Sequence, residues 1–281
     1  MSYGPVPWQQ AHWDWRAAGN FICGGAGAGL IVFAALSGAY GSALTVLLLG
    51  GMALVGLGLL CVWLELGRPL RALHVFLNPR TSWMTREACA ATLLMPVTLA
   101  AAAGLPGWQW FAAALALLFV FCQGRMLQAA KGIPAWREPL VVPLLLLTGL
   151  AEGSGLWLVA LPVQAAGQPL LLALAGALVL ARVAVWRAYR SRLAARAAAP
   201  ALAAVDAAGR RLQIAGTWLP LVLLALVGSG SIGAALAAPL LVVAGLLASV
   251  AGGWLKFTLI TRAAFNQGFA LVHLPVRGVR R

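Results

Sequence analysis

The sequence predicts an all-α integral membrane protein, with eight transmembrane helices arranged as two four-helix halves. Three observations carry this. Hydrophobic residues make up 62% of the chain and charged residues 9%, whereas an ordinary soluble domain is about 25% charged. The apolar residues fall into runs near the roughly 20 residues that a helix needs to cross hydrocarbon. All twenty Lys and Arg residues then lie in the N-terminal tail, in the connections after the second, fourth and sixth spans, in the C-terminal tail, or in the adjoining span ends. The connections near 39–42, 104–108, 162–168 and 228–234 carry none.

The spans fall near 18–38, 43–64, 87–104, 109–130, 139–161, 169–189, 212–231 and 235–259. Span one contains the run Gly24 to Leu30, in which Gly25 and Gly29 form a small-xxx-small face suited to close helix packing or to a thin wall beside a ligand. Span two is an unbroken apolar run ending at Trp63 and Leu64. Span three begins where the charged segment before it ends, at Glu87. Span four carries Arg125 near its end, where the side chain either snorkels to the headgroups or serves a function. The segment Lys131 to Pro139 divides the chain, because Pro134 and Pro139 break helix there; the halves are residues 1–133 and 134–281. Span five holds Glu152, expected towards the far side as a neutral or surface-exposed acid, or else on a proton route. Span six holds Arg182. The connection Arg190 to Arg211 is Ala-rich and basic, broken by Pro200, and suits a helix lying on the headgroups. Spans seven and eight complete an even number, so both termini share a side.

That side is expected to be cytoplasmic, because basic residues concentrate on the cytoplasmic face of bacterial inner-membrane proteins. The net charge of +14 therefore points to anionic headgroups and an acidic docking partner rather than to nucleic acid. Residues 1–17 are polar and Trp-rich, without the basic and apolar regions of a signal peptide. Cys23, Cys61, Cys89 and Cys122 lie in or at the ends of spans with no C-x-x-C pair, and read as small buried hydrophobes. His12, His74 and His273 all lie outside the spans, which argues against bis-His haem in the membrane. Neither metal nor haem is expected in this chain. Trp108, Trp110, Trp157 and Trp218 suit interfacial anchoring or internal packing.

Chemistry concentrates between spans two and three, in Leu64 to Ala88, which holds Glu65, Arg68, Arg71, His74, Asn78, Arg80, Trp83, Arg86 and Glu87. A carboxylate at the membrane border costs several kcal/mol unless paired or protonated. Glu65 stands three residues from Arg68 and Glu87 adjoins Arg86, so pairing across the loop keeps both acids there. The segment reads either as a salt-bridged rigid loop or as a site where a carboxylate exchanges protons beside a bound redox molecule.

The order Glu65-Leu-Gly-Arg-Pro69, Arg71-Ala72 and Ser82-Trp83-Met-Thr-Arg86-Glu87 resembles the loop of membrane-anchor subunits of the dimethyl sulfoxide reductase type, the DmsC-like anchors of the NrfD-like superfamily. The likeness covers essentially the whole chain, with the loop as its specific motif. Trp15-Arg-Ala-Ala-Gly-Asn20-Phe and the stretch from Cys122 to Pro139 are similar to a phenylacetyl-CoA:acceptor oxidoreductase subgroup. The resemblance implies a molybdopterin or tungstopterin catalytic subunit and a four-cluster iron–sulfur subunit as partners. It also implies a quinone, menaquinone or ubiquinone, bound near the docking face. In such anchors a His often stands where this chain has Glu65.

Quinone chemistry moves two electrons and two protons, and the ring oxygens need hydrogen-bond donors and a proton exchanger. Glu65, Glu87 and His74 are the candidate proton exchangers. Arg68, Arg71, Arg86 and Arg125 are candidates to stabilise negative charge on the ring, with Trp83 flanking it and Asn20 donating to an oxygen. Asn20 reads equally well as a cap or packing residue. The alternatives are a passive anchor without a quinone site and a small transporter, which would place polar residues at the midplane. With the basic face cytoplasmic, a C-terminal reporter that works only in the cytoplasm is expected to be active; activity only of an exported reporter would reverse the orientation.

Overall fold

The computed structural model describes residues 6–66 and 69–268. Among them regular structure is helical, apart from one isolated bridge between Gln9 and Phe265. Eight long helices follow in order: α1 Trp15–Leu36, α2 Gly41–Trp63, α3 Trp83–Ala102, α4 Trp108–Ala129, α5 Val141–Ala160, α6 Pro169–Leu193, α7 Ala199–Gly228 and α8 Ala235–Arg262. Seven of these, all but α3, are long and apolar enough to cross a membrane. The chain is a multi-pass membrane protein. Helix α3 has the length, at 20 residues, but Thr85, Arg86, Glu87, Thr92 and Thr98 dilute its apolar character. It starts earlier than the hydropathy suggests because Ser82 caps it, accepting from Thr85 N at 3.3 Å.

The expected surface helix over Arg190 to Arg211 is not a separate element. Helix α6 runs on to Leu193 and α7 begins at Ala199, so the break is confined to residues 194–198. Helix α7, 30 residues long, spans about 45 Å at 1.5 Å per residue, more than the ~30 Å hydrocarbon thickness. Such a length is taken up by tilt or by projection beyond the apolar layer; in its first half Asp206 grips Arg190 of α6. Three helices each contain a π turn: Asn20–Gly24 in α1, Ile214–Trp218 in α7 and Thr258–Arg262 in α8.

Helix α5 is central and packs closely on α1 and α8. Glycines make this contact: a Cβ at Gly29 would run into the Gly149 carbonyl and one at Gly153 into the Gly29 backbone. The Gly25/Gly29 face of α1 thus serves close packing between helices. The apolar core, including Phe33, Leu47, Phe119, Trp157 and Leu241, runs across the division at residue 133. The Lys131–Pro139 connection is pinned: Trp136 Nε1 donates to Leu259 O at 2.8 Å, and buried Glu138 pairs with Arg192 and Arg196. Trp157 is fully buried against Phe33, while Trp108, Trp110 and Trp218 are exposed. The cysteines are free, with Cys122 buried and the other three half-buried. Gln10 N donates to Ala264 O at 2.9 Å, so the two ends of the described chain meet on one face.

Gly29→Ala is expected to lower stability by about 1–3 kcal/mol through overpacking against backbone. Gly56→Ala, where a Cβ meets nothing within 4 Å, should leave stability unchanged; thermal unfolding in detergent compares them.

Candidate functional site

Asp14 opens the site by capping α1, accepting from Arg16 N at 2.8 Å and pairing with the Arg16 guanidinium at 2.9 Å. Arg16 Nη1 also donates to Leu64 O at 3.1 Å, so the start of α1 is tied to the end of α2. This sets Glu65 beside Asp14 and Arg16. Partial burial raises the Glu65 carboxyl above its ordinary range, the Asp14 charge adds to this, and Arg16 opposes it. Asp14 itself is held low by the hydrogen bond from Arg16.

One turn further, the π turn of α1 presents Asn20 to two other helices. Its Nδ2 donates to Glu87 Oε1 of α3 at 3.0 Å, and its carbonyl accepts from Gln123 Nε2 of α4 at 3.1 Å. The Gln123 side chain also reaches the Glu87 carboxyl. All three side chains are buried, Glu87 at 4% exposure. Gly58 lets α2 close over them, since a Cβ there would meet Asn20 O and Oδ1 at 3.1 and 3.2 Å. Asn20 Oδ1 has no hydrogen-bond partner.

A two-lobed cleft opens on this cluster, with volumes of about 260 and 340 Å³. Both lobes are bounded by Asn20, Val62, Leu66, Met84 and Glu87. The first adds Trp13, Glu65 and Met126, and the second adds Leu59, Trp63, Ala72 and Val75. It is an apolar slot between helices with a polar floor, the general form of a small-molecule site.

The structure thus brings Glu65, Glu87 and Asn20 to one cleft and places His74, Trp83, Arg86 and Arg125 outside its lining. Glu87 is not paired with Arg86. That guanidinium turns outward to Pro79 O and Arg80 O at 3.0 and 2.7 Å, because consecutive helical residues point about 100° apart. Arg86 and Arg125 both stand over the Trp83 ring, 4.2 and 4.9 Å from its centre. Trp83 and Arg125 line a neighbouring recess with Lys131 and Arg137, and not the cleft. Arg125 also meets Gln128 Oε1 at 2.5 Å. His74 is exposed on the short helical stretch Pro69–Leu77 and is among the lining residues of neither lobe. Arg68, the Arg71 side chain and His273 lie outside the described residues. Asn20 is not a helix cap; it is the partner of Glu87.

A second polar cluster lies deeper. Glu152 of α5, expected as a neutral or surface-exposed acid or else on a proton route, is not at the surface: it is 1% exposed and ion-paired to Lys256 Nζ of α8 at 2.5 Å. Lys256 also donates to Phe21 O at 2.9 Å. Arg182 of α6, at 0% exposure, donates to Ala248 O and Gly216 O at 3.0 and 2.6 Å. Sequence reasoning missed Gln123 and Lys256. Gln123 carries a signal, an amide well inside an apolar run, whereas Lys256 stands near a span end and looks like one more basic-face residue. Among the described residues no cluster of His, Cys, Asp or Glu is suited to hold a metal ion.

The family model of the DMSO reductase anchor subunit (DmsC) matches residues 17–195, more than half of the chain and inclusive of every helix that walls the cleft. No curated protein matches the chain.

Removing the amide that meets Glu87, by Asn20→Ala, is expected to destabilise the protein by about 1–3 kcal/mol, the cost of stranding a buried polar group. Exposed Asn78→Ala serves as the neutral control in the same unfolding measurement.

Proposed function

The chain belongs to the DMSO reductase anchor subunit family, and from that premise we propose that it is the quinone- or quinol-binding membrane anchor of a respiratory molybdenum- or tungsten-pterin oxidoreductase. On this reading it carries no haem. It passes electrons between a docked four-cluster iron–sulfur subunit, itself bound to the catalytic pterin subunit, and menaquinone or ubiquinone. The observation that carries the reading is the convergence of Glu65 and Glu87 on one apolar cleft.

The residues of the cleft suit that chemistry. Oxidation of a quinol releases two electrons and two protons, and reduction of a quinone takes up the same. The Asn20 amide lines both lobes of the cleft and holds the Glu87 carboxyl beside it. The Glu87 carboxyl is placed to exchange the proton. Glu65, nearer the chain surface and raised by burial, passes protons between the cleft and water at the basic face. Leu59, Val62 and Met84 offer the apolar wall that the isoprenoid tail requires, and Trp63 is placed to flank the ring, the role expected of Trp83. The basic recess of Arg125, Lys131 and Arg137 beside the cleft suits an acidic partner surface, which favours short electron-transfer distances.

Several further features belong to the same proposal. Helix α3 is the eighth span, held in the membrane by packing along α4, with Arg86 reaching the headgroup layer and Glu87 satisfied by Asn20. Residues 1–133 form the four-helix half that holds the quinone, and residues 134–281 form the second. The basic face and both termini are cytoplasmic, in a bacterial inner membrane.

Glu87→Gln keeps the shape and an acceptor for Asn20 but cannot exchange the proton. In the assembled complex, quinol-linked turnover is expected to fall about 10²-fold or more, while turnover with an artificial donor to the partner subunits is retained. Unchanged quinol turnover would favour a passive anchor.

A further inference from the structure

Behind the cleft, the polar atoms continue into the centre of the protein. Gln123 links the two regions. Its amide nitrogen reaches Asn20 O, and its amide oxygen faces Gly25, beside which Lys256 Nζ also lies. A Cβ at Gly25 would collide with that ammonium, so the glycine makes room for Lys256 next to Gln123. Lys256 then bridges Phe21 O and Glu152 Oε2, and Arg182 flanks Glu152 across Gly252.

The charges of this cluster do not balance. It holds one carboxylate and two cations, each almost wholly buried. Fully ionised it carries one excess positive charge in surroundings where an unpaired charge costs several kcal/mol. Loss of one proton makes it neutral. Arginine does not release its proton in proteins, so the exchange falls on the proton shared between Glu152 and Lys256. Glu152 Oε1 and Arg182 Nε lack hydrogen-bond partners, which a purely structural lock would satisfy. The other ionisable groups facing the pair are Cys23 of α1 and, beyond Gln123, Glu87 of α3.

We propose that the Glu152–Lys256 pair, flanked by Arg182, is an inner proton store that exchanges one proton with the cleft through the Gln123 side. This rests on the quinone reading of the cleft. When a quinol is oxidised, its two electrons leave to the iron–sulfur partner. One proton leaves by Glu65 to the basic face, and the other passes by Glu87 to the pair, which holds it until it goes back by Glu87 and leaves by Glu65, so that both protons are released before the next quinol. Quinone reduction runs the same transfers in reverse.

Lys256→Arg separates proton exchange from charge pairing, because it keeps the cation and removes the exchangeable proton. In the assembled complex in proteoliposomes we expect quinol kcat to fall by about 10²-fold, with quinol KM and artificial-donor turnover unchanged. The pH profile of kcat should lose one limb, and Glu152→Gln should do the same. Normal kcat and pH profile in either assembled variant overturns the store. Should both variants fail to assemble, the unsubstituted complex decides. Its chain has two lysines, Lys131 and Lys256, and trace acetylation with acetic anhydride, mapped by mass spectrometry, reads each against the other. Acetylation of Lys256 relative to exposed Lys131 is expected to differ between quinone-oxidised and quinol-reduced membranes. No difference overturns the proposal. If Glu87→Gln also leaves quinol turnover intact, the quinone reading itself fails; if Glu87→Gln abolishes it while Lys256 is indifferent, only the store fails.

Discussion

At Asn20–Gly24 the backbone of α1 widens into a π turn, and there two consecutive carbonyls accept hydrogen bonds from side chains of other helices. Asn20 O receives Gln123 of α4, and Phe21 O receives Lys256 of α8. In hydrocarbon a backbone or side-chain polar group has no water to turn to, so its partners must come from the protein. The turn meets that constraint for three helices at once, and the Asn20 side chain meets it for Glu87 on a fourth. The π turn of α7 provides Gly216 O to Arg182, and that of α8 provides Leu259 O to Trp136 and Thr261 O to Gln9. Each of these local irregularities sits where a polar side chain from elsewhere needs an acceptor. Such turns gather at functional positions for this reason.

Packing makes these bonds geometrically possible. Gly24 and Gly25 leave room beside the α1 carbonyls for Gln123 of α4 and Lys256 of α8, while Gly29, Gly149 and Gly153 bring the α1 and α5 backbones together. Gly58 does the same for α2 over Asn20. Apolar association gives little net drive inside a membrane, so close contact and buried polar bonds carry the cohesion of the bundle. The glycine face and the polar cluster on α1 are therefore parts of one arrangement.

Much of the helical plan was legible in the sequence, because runs of apolar residues and the placement of twenty basic residues follow from the thickness and the polarity of a bilayer. Six of the seven strongly apolar spans lie within a few residues of where the hydropathy puts them; α7 starts 13 residues earlier, at Ala199 rather than 212. Helix α3 is harder to place, because its capped first turn is polar, and the first half of α7 reads like a surface segment because it carries Asp206, Arg210 and Arg211. The two acids of the cleft were legible as residue types at the membrane border. Their partners were not. Arg86 was assigned to Glu87 by adjacency in sequence, whereas helix geometry turns neighbours apart and gave Glu87 to an amide 67 residues away. Lys256 was read with the basic face because it stands near a span end, yet only the rotation of α8 about its axis decides whether such a side chain reaches the headgroups or points inward.

The Glu152–Lys256 pair has a consequence for biosynthesis. Its members are 104 residues apart, and Glu152 is made first. At about 5–20 residues per second the interval before Lys256 emerges is about 5–20 s. During that time α5 carries its carboxylate without its eventual partner, in a bilayer that penalises a central Asp by about 2.5–3.5 kcal/mol. Helix α5 is otherwise strongly apolar and can be inserted despite this. Its final position against α1, however, is not electrostatically complete until the last helix arrives. The tie between α5 and α8 thus forms only once α8 has been made.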